Sequence, residues 1–333
     1  MDTVRPGASR RALLRGGSAL SLAVLLGPRG VRADDPVRLV VGFPPGGGLD
    51  AIGRALANAL KDSLGRAVIV HNQPGAGSLV AAQAVAKGRP DGLTLLLAPV
   101  VVPAFFPWIH ERLGFDPMED LVPVAMIGTF PFALVVGPSV PAKTLPEFVA
   151  WAKANPARVA FGSLGAGTPS HFLGAMFNRA AGTDLLHAPY AGAAPVLMAL
   201  QSGEIQAAFV VAGSAAELHK AGKVRVLAVF GRQRAASLPE VPTTGEFGPA
   251  FQALEEASLW YGVFAARGTP ATDLDRFNAA IGAALAVPAV RQVCAREEVT
   301  PTPLSRADFA ALVARDNRLW GEVIRATGFK VTQ

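Results

Sequence analysis

Four times along this chain a short apolar run ends in a glycine-rich turn, and a helical pattern follows at once. The turns span residues 42–50, 74–78, 162–171 and 190–195. The first is the sharpest. Leu39-Val40-Val41 runs into Gly42-Phe43-Pro44-Pro45-Gly46-Gly47-Gly48, and Leu49, Ile52, Leu56, Leu60 and Leu64 then recur at three- and four-residue steps. That spacing puts them on one helix face. Strand, turn and helix start in this order point to parallel strands covered by helices. Strand-like runs at 37–42, 67–71 and 93–98 enclose helical patterns at 49–64 and 75–87. Residues 99–123, rich in proline and aromatics, read as a loop segment with a short helix. Further strand-like runs fall at 124–128, 132–136, 159–162, 185–189, 206–211, 224–230 and 259–265. Helical patterns fall at 145–154, 171–181, 196–201, 270–285 and 308–326. The fold class is α/β.

A turn without Cβ atoms lets a ligand approach bare backbone, and the helix start beyond it presents unpaired N–H groups that suit an anion. None of the four turns holds a lysine or arginine. An anion bound there would meet backbone N–H groups, hydroxyls and helix ends rather than point charges. Turns placed after strands gather along the carboxyl edges of sheets, where α/β folds hold ligands. The plain alternative is four turns that the fold requires and that bind nothing. Asp50 can complement the positive end of the first helix, and it lies four residues before Arg54. The five histidines show no metal-ligand spacing, so no metal site is expected. His171 stands apart because it follows a glycine turn at a helix start.

Several chemistries lack their residues. A hydrolase elbow needs Gly-x-Ser-x-Gly, and the residue two before Ser163 is Phe161. No Gly-Lys-Ser/Thr exists for a nucleotide loop, and Gly75-Ala76-Gly77-Ser78-Leu79-Val80 lacks the third glycine of a dinucleotide fingerprint. No cofactor is implied. A single cysteine, Cys294, excludes an intramolecular disulfide and reads as a small core residue. A length of 333 residues leaves room for two ordinary domains.

The net charge of +6 invites a nucleic-acid or membrane reading. Its distribution removes that reading. Residues 1–33 hold six arginines and one aspartate, which leaves 25 basic and 24 acidic residues in the rest. The basic segment reads as an export signal. Ser9-Arg10-Arg11-Ala12-Leu13-Leu14-Arg15 resembles the twin-arginine export motif, residues 19–26 are apolar but too few to span a bilayer, and Val31-Arg32-Ala33 offers a cleavage site.

The ordered set of motifs is similar to the substrate-binding receptors of tripartite tricarboxylate transporters, the Bug-type periplasmic solute-binding proteins. The pieces are Gly42-Phe43-Pro44-Pro45-Gly46-Gly47-Gly48-Leu49-Asp50, Asn72-Gln73-Pro74-Gly75-Ala76-Gly77-Ser78 and Pro90-Asp91-Gly92-Leu93. Then come Phe161-Gly162-Ser163 with Gly165, Thr168 and His171, Pro189-Tyr190 with Gly192 and Pro195, Leu238-Pro239-Glu240-Val241-Pro242-Thr243, and Trp260-Tyr261-Gly262.

The resemblance implies a type II periplasmic binding protein-like fold: two α/β domains joined by two crossover strands, with a ligand cleft between. The first domain would comprise 34–135 plus 258–333 and the second 136–257, with crossings near 134–137 and 258–265. It implies a monomeric receptor without catalysis, exported to the periplasm after cleavage near Ala33. Such a receptor captures a small organic carboxylate and delivers it to membrane permease subunits. The ligand contacts carried over are Phe43, Pro45, Gly46, Gly47, Gly48 and Asp50 in the first loop and Ala76, Gly77 and Ser78 in the second. On the other domain they are Ser163, Gly165, Thr168 and His171, then Tyr190, Ala191 and Gly192.

Leu49, Ala191 and Val210 stand where many relatives of that kind carry polar groups, and Ala193 and Ala194 adjoin them. No acid in the distal loops offers itself to an ammonium. A monocarboxylate with an apolar or aromatic body is therefore expected over citrate, aspartate or glutamate. The rival readings are a secreted hydrolase using Ser163 or Ser170 with His171, and a receptor that feeds a signalling protein. The export reading predicts that N-terminal sequencing of the periplasmic protein gives a start at or near Asp34. Recovery of only the intact Met1 form from the cytoplasm would overturn it.

Overall fold

Strand β1 (Val37–Val41) runs through the first glycine turn into helix α1 (Gly48–Leu64), and β2 (Val68–Asn72), α2 (Leu79–Ala86) and β3 (Thr94–Pro99) follow. The computed structural model describes residues 1–3, 35–156, 158–257 and 259–331. The expected export motif and cleavage point lie outside them. Asp34–Gln333 forms one compact unit. Helix α1 buries Leu49, Ile52, Leu56, Leu60 and Leu64, the stripe that their spacing implies. Gly53 shares that face. A Cβ there would meet the side chains of Val41 and Leu97 at 3.3 and 3.4 Å, so the glycine lets α1 lie close on the sheet.

Single-turn helices α3 (Val101–Ala104), α4 (Phe106–Ile109) and α5 (Pro117–Asp120) occupy the proline-rich segment before β4 (Leu121–Thr129). After β5 (Phe132–Val136) come α6 (Leu145–Ala154), β6 (Ala160–Ser163), α7 (Pro169–Ala181), β7 (Leu186–Pro189), α8 (Ala193–Ser202), β8 (Ala207–Val211), α9 (Ala212–Lys220) and β9 (Arg225–Phe230). The chain closes with α10 (Gln252–Glu256), β10 (Trp260–Ala266), α11 (Ala271–Leu285), α12 (Pro288–Arg296), β11 (Thr300–Pro301) and α13 (Arg306–Thr327). Helices α9, α10 and α12 and strand β11 have no counterpart in the sequence reading. Helix α9 starts directly from β8 without a glycine turn, and β11 is two residues long.

Two sheets result. The first has the order β11-β4-β10-β3-β1-β2 and the second β7-β6-β8-β5-β9. In each, the strands before the glycine turns pair in parallel. The strands nearest the passages between sheets, β10 in the first and β5 in the second, pair antiparallel. The passages themselves are short. Phe130-Pro131 separates β4 from β5, and the return comes just before β10. The Phe130 N–H donates to the Leu259 carbonyl at 3.0 Å, tying the two passages together.

These positions correct the expected crossings at 134–137 and 258–265. All of β5 pairs with β8 and β9, and all of β10 pairs with strands of the first sheet. The boundary at 135/136 therefore cuts through a strand of the second sheet. β4 and β5 are both apolar runs, and a strand's sequence does not say which sheet it joins.

One apolar core extends from one sheet to the other. It includes Phe105, Trp260 and Trp320 beside the first sheet and Phe172, Phe177 and Phe209 beside the second. Ring centroids of Phe105 lie 4.6 Å from Trp320 and 5.7 Å from Phe172. Within this core the Trp260 indole N–H donates to Asp316 Oδ2 at 2.7 Å, and Arg315 pairs with the other carboxylate oxygen at 2.7 Å. Asp316 is fully buried. Among the described residues no single helix is long and apolar enough to cross a membrane.

This buried carboxylate makes a clear prediction. Asp316→Ala would orphan the buried Trp260 N–H and take from Arg315 one of its carboxylate partners, at a cost of about 3 kcal/mol. Asp316→Asn keeps an acceptor and should cost less. Urea unfolding of the three proteins measures the order.

Candidate functional site

Polar contacts within the first sheet hold the first turn to the second. Asp50, buried at the start of α1, accepts hydrogen bonds from the Gly46 N–H at 2.9 Å, Arg54 Nε at 2.9 Å and Asn72 Nδ2 at 2.8 Å. Asn72 ends β2 and also donates to the Phe43 carbonyl. Asp50 thus fastens its own loop and the neighbouring strand. The Arg54 guanidinium, with the Gly46 and Asn72 donors, holds its carboxyl down at about 2 against the opposing effect of burial. Ser78 closes the pair of loops. It is fully buried, its φ of 85° is left-handed, and its hydroxyl has no partner. A Cβ at Gly42 would strike that hydroxyl at 1.8 Å, so only glycine fits there.

The loops of the second sheet are bound more tightly to one another. Ser163 ends β6, and its hydroxyl shares a 2.7 Å hydrogen bond with His187 Nε2 and donates to the Gly165 carbonyl at 3.1 Å. Thr168 donates to the same carbonyl at 2.6 Å, Ser170 accepts from the Leu164 N–H, and Tyr190 donates to Glu204. The His171 ring lies 3.9 Å from that of His187, nearly parallel, and its Nδ1 accepts from the Gly167 N–H. Burial lowers the pKa of His171. Burial, then the neighbouring His171, pushes His187 down to about 4. Both imidazoles are neutral at neutral pH.

The sequence-derived site residues therefore divide into two groups. Pro45, Gly46, Gly47, Ala76, Gly77 and Ala191 are exposed, and Phe43, Gly48, Gly165, Thr168, His171, Tyr190 and Gly192 are partly so. Asp50, Ser78 and Ser163 are buried. The hydroxyls of Ser163, Thr168 and Tyr190 are engaged inside the second lobe. The N–H groups of Gly47, Gly77, Ala191 and Gly192 carry no hydrogen bond among the described residues. Of the apolar positions expected to face a ligand, Leu49 and Val210 lie in the core instead. A chain of aromatic contacts runs from one set of loops toward the other. A Cβ at Gly77 would touch Phe106, while Phe105 meets Phe172, which stacks on His171.

Three residues escaped the sequence reading. His187 lies inside β7, ahead of the fourth glycine turn, and carries no local signal of its own. Glu297 and Glu298 follow α12 at a turn, and only tertiary structure brings them to the two lobes. A Cβ at Gly48 would lie 2.3 Å from Glu297 Oε2, and one at Gly213 would lie 2.4 Å from the Glu298 side chain. Glu297 thus stands at the start of α1, in the first lobe, and Glu298 at the start of α9, in the second. Glu297 thus brings to the first glycine turn an acid from outside the turns. Glu297 also faces Tyr261, whose phenol is pushed up to about 12 by burial and then by that charge.

These environments give two pH windows. Unfolded His187 takes a proton near 6.5, before the folded ring does, so stability falls as pH drops from 6.5 toward about 4. Asp50 stabilises the fold above its unfolded value of 3.8, and that contribution is lost as pH falls from there to about 2. Each window should be worth about 1–2 kcal/mol, given that Arg54 and the histidines are half in solvent. Urea melts across pH should show His187→Gln flattening the upper window and Asp50→Asn the lower.

Comparison with known proteins places this geometry. The model for the tripartite tricarboxylate transporter family receptor matches residues 52–329. The chain is similar to the protein BugT of Bordetella pertussis (strain Tohama I), with 34% identity over 298 residues, 89% of this chain and 90% of that one. Among solved structures it is similar to a TctC solute-binding protein from Polaromonas, with a TM-score of 0.77 and 29% identity over 87% of this chain and 98% of that one. It is also similar to Rpa4515 of R. palustris, solved with adipate, with a TM-score of 0.73 and 27% identity over 89% and 98% of the two chains. The chain belongs to the tripartite tricarboxylate transporter receptor family, the solute-binding receptors built from two α/β domains.

Proposed function

We propose that this receptor works in the periplasm after removal of residues 1–33, captures a small organic carboxylate between its two lobes, and hands it to the membrane permease of a tripartite transporter. The observation that carries the reading is the pairing of two sets of glycine turns. Each set follows the parallel strands of its own sheet, offers open backbone N–H groups and contains no lysine or arginine. Two short passages join the sheets, which suits hinge closure round a ligand. An adipate-bound relative supports a carboxylate as the ligand class.

Electrostatics narrows where the carboxylate goes. Asp50 and Glu297 already meet the positive end of α1, so a second anion there is unfavourable. The turns at Ala76-Gly77 and Tyr190-Ala191-Gly192 remain, with α8 beginning directly after the latter. Ala191, Ala193 and Ala194 surround that helix start with methyl groups, which favours a monocarboxylate with an apolar body. Catalysis is not part of the proposal. Ser163 and His187 resemble a nucleophile and its base, yet the serine is fully buried and no acid orients His187 among the described residues.

A thermal-shift panel tests this reading. A ligand at 100 times its dissociation constant adds about 2.7 kcal/mol to the folded state. Benzoate and hexanoate are expected to raise the melting temperature more than adipate or citrate, and Gly77→Val or Gly192→Val should abolish the shift. Small-angle scattering should show contraction with the same ligand. A panel in which no carboxylate stabilises the protein would overturn the receptor reading. Turnover of an ester that disappears in Ser163→Ala would replace it with the hydrolase.

A further inference from the structure

A cavity of about 640 Å³ lies at the passages between the lobes, away from the glycine turns. Its walls come from Phe130-Pro131, the loop after β9, the return passage, the end of α12, β11 and one side of α13. Strands β11 and β9 each form one edge of their sheet, whereas the four glycine turns follow strands at or beside the opposite edge, β1 and β2 in one sheet and β6 and β7 in the other. No residue of those turns lines the cavity. An occupant would touch both lobes and both passages at once.

The chemistry of the walls selects an occupant. Met126, Leu259 and Val299 form a buried apolar floor. Charged side chains stand round them, and nearly all are already engaged. Glu256 is held by Arg232 and Arg315, Glu298 accepts from Ser237 at 2.9 Å, Glu255 accepts from Thr243 at 3.0 Å, and Arg234 pairs with Glu246. The Arg291 guanidinium, on the exposed side of α12, has neither an ion pair nor a hydrogen bond among the described residues. The unengaged charge on this cavity is therefore positive. Its volume falls in the range of small-molecule sites, which join apolar walls to a few polar groups.

We propose that this cavity is a second binding site, for an organic anion with one carboxylate and an apolar body, with Arg291 meeting the carboxylate. A guanidinium pairs with a carboxylate by charge-assisted hydrogen bonds, and the apolar floor takes the rest of the molecule. Among the described residues that line the cavity, a dianion would find no second unengaged cation.

Calorimetry on the receptor, with 2-naphthoate as the probe and 2-naphthylmethanol as its neutral counterpart, tests the proposal. Ala191→Trp fills the entrance at the glycine turns and isolates the cavity from any binding there. In that variant naphthoate should bind, and the alcohol should bind at least about fivefold more weakly. Adding Arg291→Ala should weaken naphthoate about fivefold, the upper end for an exposed ion pair. Adding Ala295→Trp, at an exposed position of α12 on the cavity, should abolish binding. Loss of all naphthoate binding on Ala191→Trp alone would overturn the proposal, since the probe would then sit at the glycine turns. Binding that survives both α12 substitutions, or equal affinity for the alcohol, would overturn it as well.

Discussion

The hydrogen bond from the Phe130 N–H to the Leu259 carbonyl sits where everything else in this molecule meets. The chain passes between sheets twice, and both passages are only a few residues long. A short passage leaves little freedom, so the directions of β5 and β10 follow from it. Each strand enters its sheet from the other lobe and runs against its neighbours there, while the strands that carry the glycine turns stay parallel. Phe130 reinforces the junction by stacking on Tyr261, with ring centroids 4.5 Å apart.

The lobes are also joined away from the passages. The core that contains Trp320 and Phe105 continues through Phe172 into the second lobe. After α13 the chain lays Phe329 over the third glycine turn: a Cβ at Gly167 would lie 2.8 Å from that ring, and His171 meets it edge-on. The Val331 N–H and Lys330 then bind carbonyls of α4, Ile109 and Trp108. The C-terminal segment therefore straps a loop of the second lobe to helices of the first. Any closing motion has to preserve or slide these apolar contacts.

Helix starts decide the electrostatics. A helix start favours an anion, and the chain supplies its own at α1 through Asp50 and Glu297, and at α9 through Glu298. The start of α8 has no such acid, and Ala191 and Gly192 keep open N–H groups before it. An anion-binding surface without lysine or arginine is coherent on these terms, because backbone donors and helix ends supply partial positive charge without a cationic side chain.

Local pattern was enough to read much of this from the sequence. Three- and four-residue spacing of leucines located α1 and its buried face, and glycine turns after apolar runs located the loops at the sheet edges. Those signals are local because helix periodicity and the need for φ above zero act over a few residues. The motifs, taken in order, also identified the family. Tertiary structure alone decided which sheet each apolar strand joins, because pairing partners lie far away in sequence. It alone buried Leu49, Val210 and Ser163, tied the expected hydroxyl donors into internal hydrogen bonds, and set His187 beside Ser163. It alone carried Glu297 and Glu298 to two helix starts in different lobes. Burial and hydrogen bonding depend on what arrives from elsewhere in the chain, and no stretch of sequence contains that information by itself.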